Sequence, residues 1–327
     1  MAESKTNILC ILRILQEYSD ENHIITAAEI SDKLQAEYGR SLDRRTVYSA
    51  VNALKEFDPA RYEIEGYKDN NEGYCILKNI FEPEEIRFLI DAIFSCEYIP
   101  PEQTKALLEK LRSFLSVYER KDYNYSKIVK TEYKTQNSQI LENIAKLNEA
   151  ISKNRKVAFT YLEYDYDKSL KPRRDEKDVG SPYVMTCDSG NYYLIAITER
   201  HPDILVYYRI DMMADIEVLN EARPKSKRDV GLDSNRKVVY AFAGKPEAIQ
   251  LRCKKPALRY VIERFGNDVM IMKRPDGSFD AHFSAAPGGV QLWALQNIEN
   301  VEVIKPKSVR ERIKEIIKGS AYLNEDD

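Results

Sequence analysis

The chain has 327 residues, of which 43% are hydrophobic and 31% charged, and 50 Lys and Arg face 53 Asp and Glu for a net charge of −3. That length predicts two or three globular domains, and the composition excludes a disordered or fibrous chain. No apolar run approaches the roughly 20 residues of a membrane span, and no metal-ligand spacing joins the scattered Cys10, Cys75, Cys96, Cys187 and Cys253 to one another or to His23, His201 and His282.

The run Ile8–Leu12 meets Arg13 with no small-residue cleavage site after it, so it reads as a core helix and not a signal peptide. Reduced, mostly buried thiols in a cytoplasmic protein without a metal or other cofactor are the expectation. Helical spacing continues through Ile8, Leu9, Ile11, Leu12 and Leu15. Thr26-Ala27-Ala28-Glu29 is a capping box, since the hydroxyl and the carboxylate can each satisfy an orphan amide. The second helix it opens buries Ile30 and Leu34 and stops near Gly39. Asp43 then caps a third helix, with Val47, Ala50, Val51, Leu54 and Phe57 on an inward stripe. Two strand-like runs, Tyr62–Tyr67 and Tyr74–Leu77, flank the turn residues Asp69-Asn70-Asn71-Glu72-Gly73. Three short helices followed by a hairpin predict a winged helix-turn-helix over residues 1–80.

Residues 81–154 read as a helical connector, with two helices around Pro100-Pro101 and a third over 136–152. From Lys156 the pattern turns to strands at Val157–Tyr161, Tyr192–Thr198, Val206–Ile210 and Ile216–Leu219. Short strands with polar loops predict a small, strongly bent sheet or barrel. Beyond residue 235, strands near Val238–Phe242 and Ile249–Cys253 precede a helix at Ala257–Phe265. Two strands then flank Pro275-Asp276-Gly277, and a helix, the strand Val301–Ile304 and a last helix at Ser308–Gly319 follow. The order fits a ferredoxin-like α+β unit with one strand too many.

Charge and geometry disagree about where an anionic partner would sit. Residues 1–80 sum to −4 and residues 221–319 to +8, which favours the C-terminal region. Yet opposite the apolar face of the third helix, Arg45, Tyr48, Ser49 and Asn52 stack one above another, flanked by Arg44 and Lys55. These donor-rich side chains suit base edges and phosphates in a major groove, with Glu56 having to clear the backbone. Lys68 and Asn70, near the hairpin tip, are weaker backbone contacts. An ordinary solvated helix face is the alternative. The basic residues Arg252, Lys254, Lys255, Arg259 and Arg264 read first as a solvated face, and second as part of an effector site or a subunit contact.

Residues 156–219 resemble the WYL domain, an SH3-like (Sm-like) β-barrel of bacterial regulators. The likeness is carried by Phe159-Thr160-Tyr161, Arg173-Arg174, Ser181-Pro182-Tyr183, Tyr192-Tyr193-Leu194 and Tyr208-Arg209-Ile210-Asp211. Tyr192 stands where the signature tripeptide normally has Trp, and Met212 replaces a later arginine of the family. The segment after residue 235, through Trp293, resembles the extension that often follows this domain. The whole is identified as a multidomain α+β regulator, with domains at 1–80, 81–154, 155–222 and 235–322.

That resemblance implies a ligand-responsive transcription factor, binding duplex DNA as a homodimer and sensing an anionic nucleotide or oligonucleotide effector. It marks Tyr161, Arg173, Arg174, Tyr192, Tyr193 and Arg209 as effector-site residues. Guanidinium groups suit phosphate and aromatic faces suit bases. Strand alternation allows only one of Tyr192 and Tyr193 to line a given pocket. No GxGxxG, P-loop, GxSxG or HExxH occurs, so no enzyme is expected. The rival reading is an accessory WYL protein that binds RNA or tunes a nucleic-acid enzyme.

Overall fold

A computed structural model of the chain describes residues 2–59, 62–67, 73–78, 80–121, 133–188, 190–224 and 245–323. It divides into two compact units, residues 1–135 and 136–327. Among the described residues no helix is long and apolar enough to cross a membrane.

The first unit opens with helices α1 (Ala2–Tyr18), α2 (Ala27–Tyr38) and α3 (Arg44–Phe57), followed by the antiparallel strands β1 (Glu63–Tyr67) and β2 (Gly73–Lys78). The Thr26–Glu29 capping box forms as expected, and Gly39 ends α2 in the left-handed conformation. Ile11, Ile14 and Leu15 of α1 meet Ile30 and Leu34 of α2, and Val47, Val51 and Leu54 of α3. Phe57, expected on that stripe, is 77% exposed instead. At 100° per residue it lies about 80° off the line through Val47, at the very end of the helix, where nothing is left to pack over it.

The hairpin is fastened to the helices by its backbone. Ile25, just before α2, exchanges both main-chain hydrogen bonds with Tyr74 at 2.8 Å. Gly73 makes that approach possible: its φ is +127°, and a Cβ there would sit 2.5 Å from the Ile25 carbonyl oxygen. Ser19, at the end of α1, donates to the Leu15 carbonyl and accepts from the Ile76 amide of β2.

Helices α4 (Pro83–Ser95) and α5 (Pro101–Arg112) build a smaller core from Ile86, Ile90, Leu108 and Leu115. Side chains weld it to α1. The Ser116 hydroxyl donates to the buried Asp20 carboxylate at 2.7 Å, and Asp20 also pairs with His23 Nδ1 at 2.7 Å. The His23 ring lies flat on Tyr118, with centroids 3.7 Å apart. The Val117 amide donates to the Glu17 carbonyl, and Arg120 to the Glu17 carboxylate. Burial opposes the charge on Asp20, but hydrogen bonds from Ser116, His23 and the Asn22 amide outweigh it and hold the carboxyl below its usual value.

The second unit begins with α6 (Ile140–Ser152), read from the sequence as the last helix of the connector. It packs Ile140, Leu147 and Ala150 into the same core as Val157, Phe159, Leu194 and Met213. Those residues come from a six-stranded antiparallel sheet: β3 (Arg155–Tyr164), β4 (Leu170–Pro172), β5 (Asp178–Asp188), β6 (Asn191–Thr198), β7 (His201–Arg209) and β8 (Met213–Ala222). The order is β4-β3-β5-β6-β7, and β8 turns back to pair with β3. Strand β5 escaped the sequence reading because Gly180 and Pro182 interrupt its apolar pattern. Pro182 is tolerated where the β5–β6 register slips.

The remainder alternates β9 (Glu247–Cys253), α7 (Leu258–Phe265), β10 (Met270–Lys273), β11 (Phe279–Ala285), α8 (Pro287–Gln296), β12 (Val301–Lys305) and α9 (Lys307–Lys318). The antiparallel sheet runs β10-β11-β9-β12, the strand order of a βαββαβ unit. Ile249, Leu251, Ala281 and Val303 face Val261, Val290, Trp293 and Val309 of the helices. The extra strand expected at Val238–Phe242 lies outside the described residues.

Gly39 and Gly73 both have positive φ, but only Gly73 is also crowded, since a Cβ at Gly39 meets nothing within 4 Å. Gly39→Ala should therefore cost about 1 kcal/mol. Gly73→Ala should cost clearly more, because the hairpin must also pull away from Ile25. Urea unfolding followed by circular dichroism checks this, and equal costs would contradict the close-approach argument.

Candidate nucleic-acid interface and anion site

Asp43 starts α3, accepting hydrogen bonds from the Thr46 amide at 3.0 Å and the Thr46 hydroxyl at 2.9 Å. These bonds hold its carboxyl below the usual range. With Val47, Val51 and Leu54 buried, Arg44, Arg45, Tyr48, Ser49 and Asn52 all emerge exposed on the other side. Each expected contact residue on the helix is thus available, with one difference. Lys55 is half-buried, and its ammonium lies 5.8 Å from the centre of the Tyr74 ring of β2. Tyr48 approaches the same ring, centroids 6.1 Å apart. The far end of the helix face therefore leans on the hairpin. Lys68 and Asn70 lie outside the described residues.

The expected effector residues separate into groups. Alternation on β6 turns Tyr192 toward the core that contains Leu194 and Ala196. Tyr193 faces the other way, edge-on to Tyr207 at 6.5 Å. Burial pushes the Tyr193 hydroxyl up and drives Tyr207 up to about 12. Tyr192 and Tyr193 therefore do not share a pocket.

Tyr161 stands edge-on to Tyr208, which stands edge-on to Phe159, at centroid distances of 5.2 and 5.1 Å. Burial raises the Tyr161 hydroxyl, opposed by a hydrogen bond to the Arg209 backbone and by the Arg209 charge. Tyr208 is likewise raised by burial, opposed by its bond to Thr198 and by the charges of Arg174 and Arg173. The charge of Arg209 thus favours ionisation of Tyr161, and those of Arg174 and Arg173 favour ionisation of Tyr208, each against the larger effect of burial.

The cations are not equivalent. Arg209 points both arms of its guanidinium at Asp211, at 3.1 and 2.7 Å, and Asp211 is fully buried. The bond to Asp211 raises the pKa of Arg209, outweighing the opposing effect of burial. Arg209, expected as an anion receptor, is committed to an internal carboxylate. Arg173 and Arg174 are more exposed and looser, each 3.6 Å from a carboxylate oxygen, of Glu163 and Asp178 respectively. Asp178 is claimed more tightly by Arg200, at 2.7 Å. Asp178 went unnoticed in the sequence, where an isolated acid on a strand carries no sign of its partner, and Asp211 was read only as part of the Tyr208–Asp211 motif and not as the partner of Arg209. The spacing of Arg209 and Asp211, two apart across a turn, was the one available hint.

Two buried asparagines fix the same turn. Asn137 donates to the carbonyls of Asp211 and Met213 at 2.8 and 2.7 Å, and Asn143 of α6 donates to Met213 at 2.6 Å and to Ile210 at 3.4 Å. Met212, which stands where the resemblance leads one to expect a cation, is buried.

The WYL domain family matches the chain over residues 142–218, and the WCX domain family matches it over residues 245–321. No curated protein matches. Among solved structures, the proteasome accessory factor B/C (PafBC) of Arthrobacter aurescens is similar at 12% identity and a TM-score of 0.28. The match covers 96% of this chain and 48% of that one, so the chain spans about half the length of that protein. A CRISPR Cas-related protein is similar at 13% identity and a TM-score of 0.35, over 96% of this chain and 83% of that one.

Removing Arg209 should be costly for stability, because Asp211 would be left buried without its cation. Arg209→Ala is expected to lose about 2–3 kcal/mol, less than a fully buried pair because the guanidinium is part-exposed. The apolar double replacement Arg209→Met with Asp211→Leu should recover much of that. Arg173→Ala and Arg174→Ala should each stay within about 0.5 kcal/mol of wild type. Denaturant titrations of the four variants decide it, and a neutral Arg209→Ala would refute the structural role.

Proposed function

We propose that this chain, which carries a WYL domain followed by a WCX domain, is a non-catalytic transcriptional regulator that binds duplex DNA as a homodimer and responds to an anionic nucleotide or nucleic-acid effector. In this reading residues 1–80 are a winged helix-turn-helix, the six-stranded sheet is an SH3-like barrel, and the C-terminal unit is ferredoxin-like. The observation that carries the reading is the exposed face of α3. Arg44, Arg45, Tyr48, Ser49 and Asn52 are exposed on a helix whose buried side is sealed into a three-helix core. A helix so presented, beside a hairpin, is the arrangement that enters a major groove. Arg45 and Asn52 would read base edges, and Arg44 would meet the backbone.

The acidity of residues 1–80 does not argue against this, because affinity follows the charge that faces the phosphates and not the sum over a domain. Replacing Arg45 or Asn52 by Ala should cost about 1–3 kcal/mol on the cognate duplex if each contacts a base, with an unchanged circular dichroism spectrum. Binding of both variants to operator and scrambled duplexes as tightly as wild type would overturn the assignment.

For the effector, the exposed and loosely paired Arg173 and Arg174 are the receptors, and Arg209 is structural. A phosphate entering there would compete with Glu163 and Asp178, each at 3.6 Å. Coupling to DNA requires that the effector prefer one of two states of different DNA affinity. Calorimetry with mononucleotides, cyclic nucleotides and short oligonucleotides tests this. At least one of them should bind wild type and lose about tenfold or more in affinity in Arg173→Ala or Arg174→Ala. No binding to wild type, or equal binding to both variants, refutes the site.

A further inference from the structure

Beside the arginine pair assigned to the effector lies a carboxylate able to capture one of its members. Asp178, the first residue of β5, is only 4% exposed, and a carboxylate so placed needs a cation or hydrogen-bond donors. Two guanidinium groups approach it. Arg174 comes from the bend between β4 and β5 and stops with Nη1 3.6 Å from Oδ1, an ion-pair distance too long for a hydrogen bond. Arg200 donates from Nε to the same oxygen at 2.7 Å, a charge-assisted hydrogen bond. That bond raises the pKa of Arg200, outweighing the small opposing effect of burial.

Arg200 holds the carboxylate because its backbone is already in place. It lies in the two-residue turn between β6 and β7, flanked by Thr198 and His201, which pair across the hairpin. The preceding amide, of Glu199, donates to the carbonyl of Val179, next to Asp178 in the chain, at 3.0 Å. The hydroxyls of Thr198 and Tyr208 close the hairpin from inside at 3.1 Å. The other arm of Arg200 reaches Glu176 at 3.2 Å, on the same bend that carries Arg174. Arg174 has only to shorten its approach by about 1 Å to reach hydrogen-bond distance, and Arg200 occupies the oxygen it would take.

We propose that Arg200 is a positioning residue for the anion site: by saturating the buried Asp178, it keeps Arg174 from closing onto that carboxylate and leaves the Arg174 guanidinium open to a phosphate. The inference rests on the effector reading above and adds to it a residue that itself touches no effector. Loss of Arg200 weakens anion binding because Arg174 is diverted inward, so the effect disappears when Arg174 or the charge of Asp178 is removed.

The test uses the full chain, with inorganic pyrophosphate as the probe in calorimetry. Arg200→Ala should lose about tenfold in affinity, as much as Arg174→Ala. In the Arg174→Ala background, Arg200→Ala should change affinity by less than about twofold, whereas simple loss of a nearby positive charge would weaken binding equally in both backgrounds. Adding Asp178→Asn to Arg200→Ala removes the charge that diverts Arg174 and should restore the wild-type affinity. Urea unfolding supplies a reading that needs no ligand. Arg174→Ala is nearly silent in the wild-type chain, but in the Arg200→Ala background it should raise the unfolding constant at least about tenfold, since Asp178 is then buried without a cation. Wild type that binds no pyrophosphate overturns the anion site and this proposal together. Where Arg174→Ala does weaken binding, three results overturn this proposal alone: an unaltered affinity in Arg200→Ala, no rescue by Asp178→Asn, or the same unfolding cost of Arg174→Ala in both backgrounds.

Discussion

A fully buried carboxylate, Asp211, organises the middle of this chain. It sits in the 3-10 turn between β7 and β8, where the strand path reverses so that β8 can pair with β3. Left alone, such a charge would be intolerable in the interior. Arg209 answers it with a two-armed hydrogen-bonded ion pair, and the carbonyls around it are taken by Asn137 and Asn143. Because Asn143 belongs to α6, the same cluster ties the helix to the turn. Tyr161 reaches the Arg209 backbone from β3, so the strand that pairs with β4, β5 and β8 also converges on this ion pair. The positions of Arg173 and Arg174 depend on this frame, since the Arg173 amide bonds the Tyr161 carbonyl at 2.8 Å.

Charge counts taken along the sequence carry no account of which charges pair. The strongly positive C-terminal stretch pointed to an anionic partner, but many of its cations are neutralised close by. Arg252 and Arg274 share Asp280, Arg259 pairs with Glu263, Arg310 with Glu302, and Arg264 with Asp188. The acidic N-terminal stretch meanwhile presents an unpaired-looking row of donors on one face of α3. A sum over residues carries no direction, whereas binding depends on direction.

Much of the fold was legible because its signals are local. The capping box at Thr26, the Asp43 cap, the period of α3 and the turn at Asp276-Gly277 each occupy a few adjacent residues and name their own structure. Strand β5 was not legible, since Gly180 and Pro182 mimic a loop and only the pairing with β6 shows otherwise. Phe57 failed for a related reason: the helical period says where a side chain points, not whether anything is there to meet it. The exposure of Arg45, Tyr48, Ser49 and Asn52 on α3 was readable from periodicity, but the half-burial of Lys55 against the hairpin was not. The candidate effector site was readable only as a set of residue types. Which arginine is held and which is available depends on Asp211, Asp178 and Glu163, acids that only the folded sheet brings beside them.

The weld between Asp20 and Ser116, reinforced by the flat stack of His23 on Tyr118, bears on how α3 could ever be switched. Helix α1 is clamped to the segment after α5 by side chains and main chain together, and the hairpin is clamped to α1 through Ser19 and to α2 through Ile25. Among the described residues up to 121, α3 therefore sits in a unit held by contacts from several elements. It is mounted as a tool is mounted in a solid handle. If that handle holds, a signal arriving elsewhere would have to swing it as a whole to displace α3. In a two-fold assembly such a swing would alter the separation and angle between two otherwise unchanged helices, so that control would be exerted on the spacing of half-sites and not on the reading of any base.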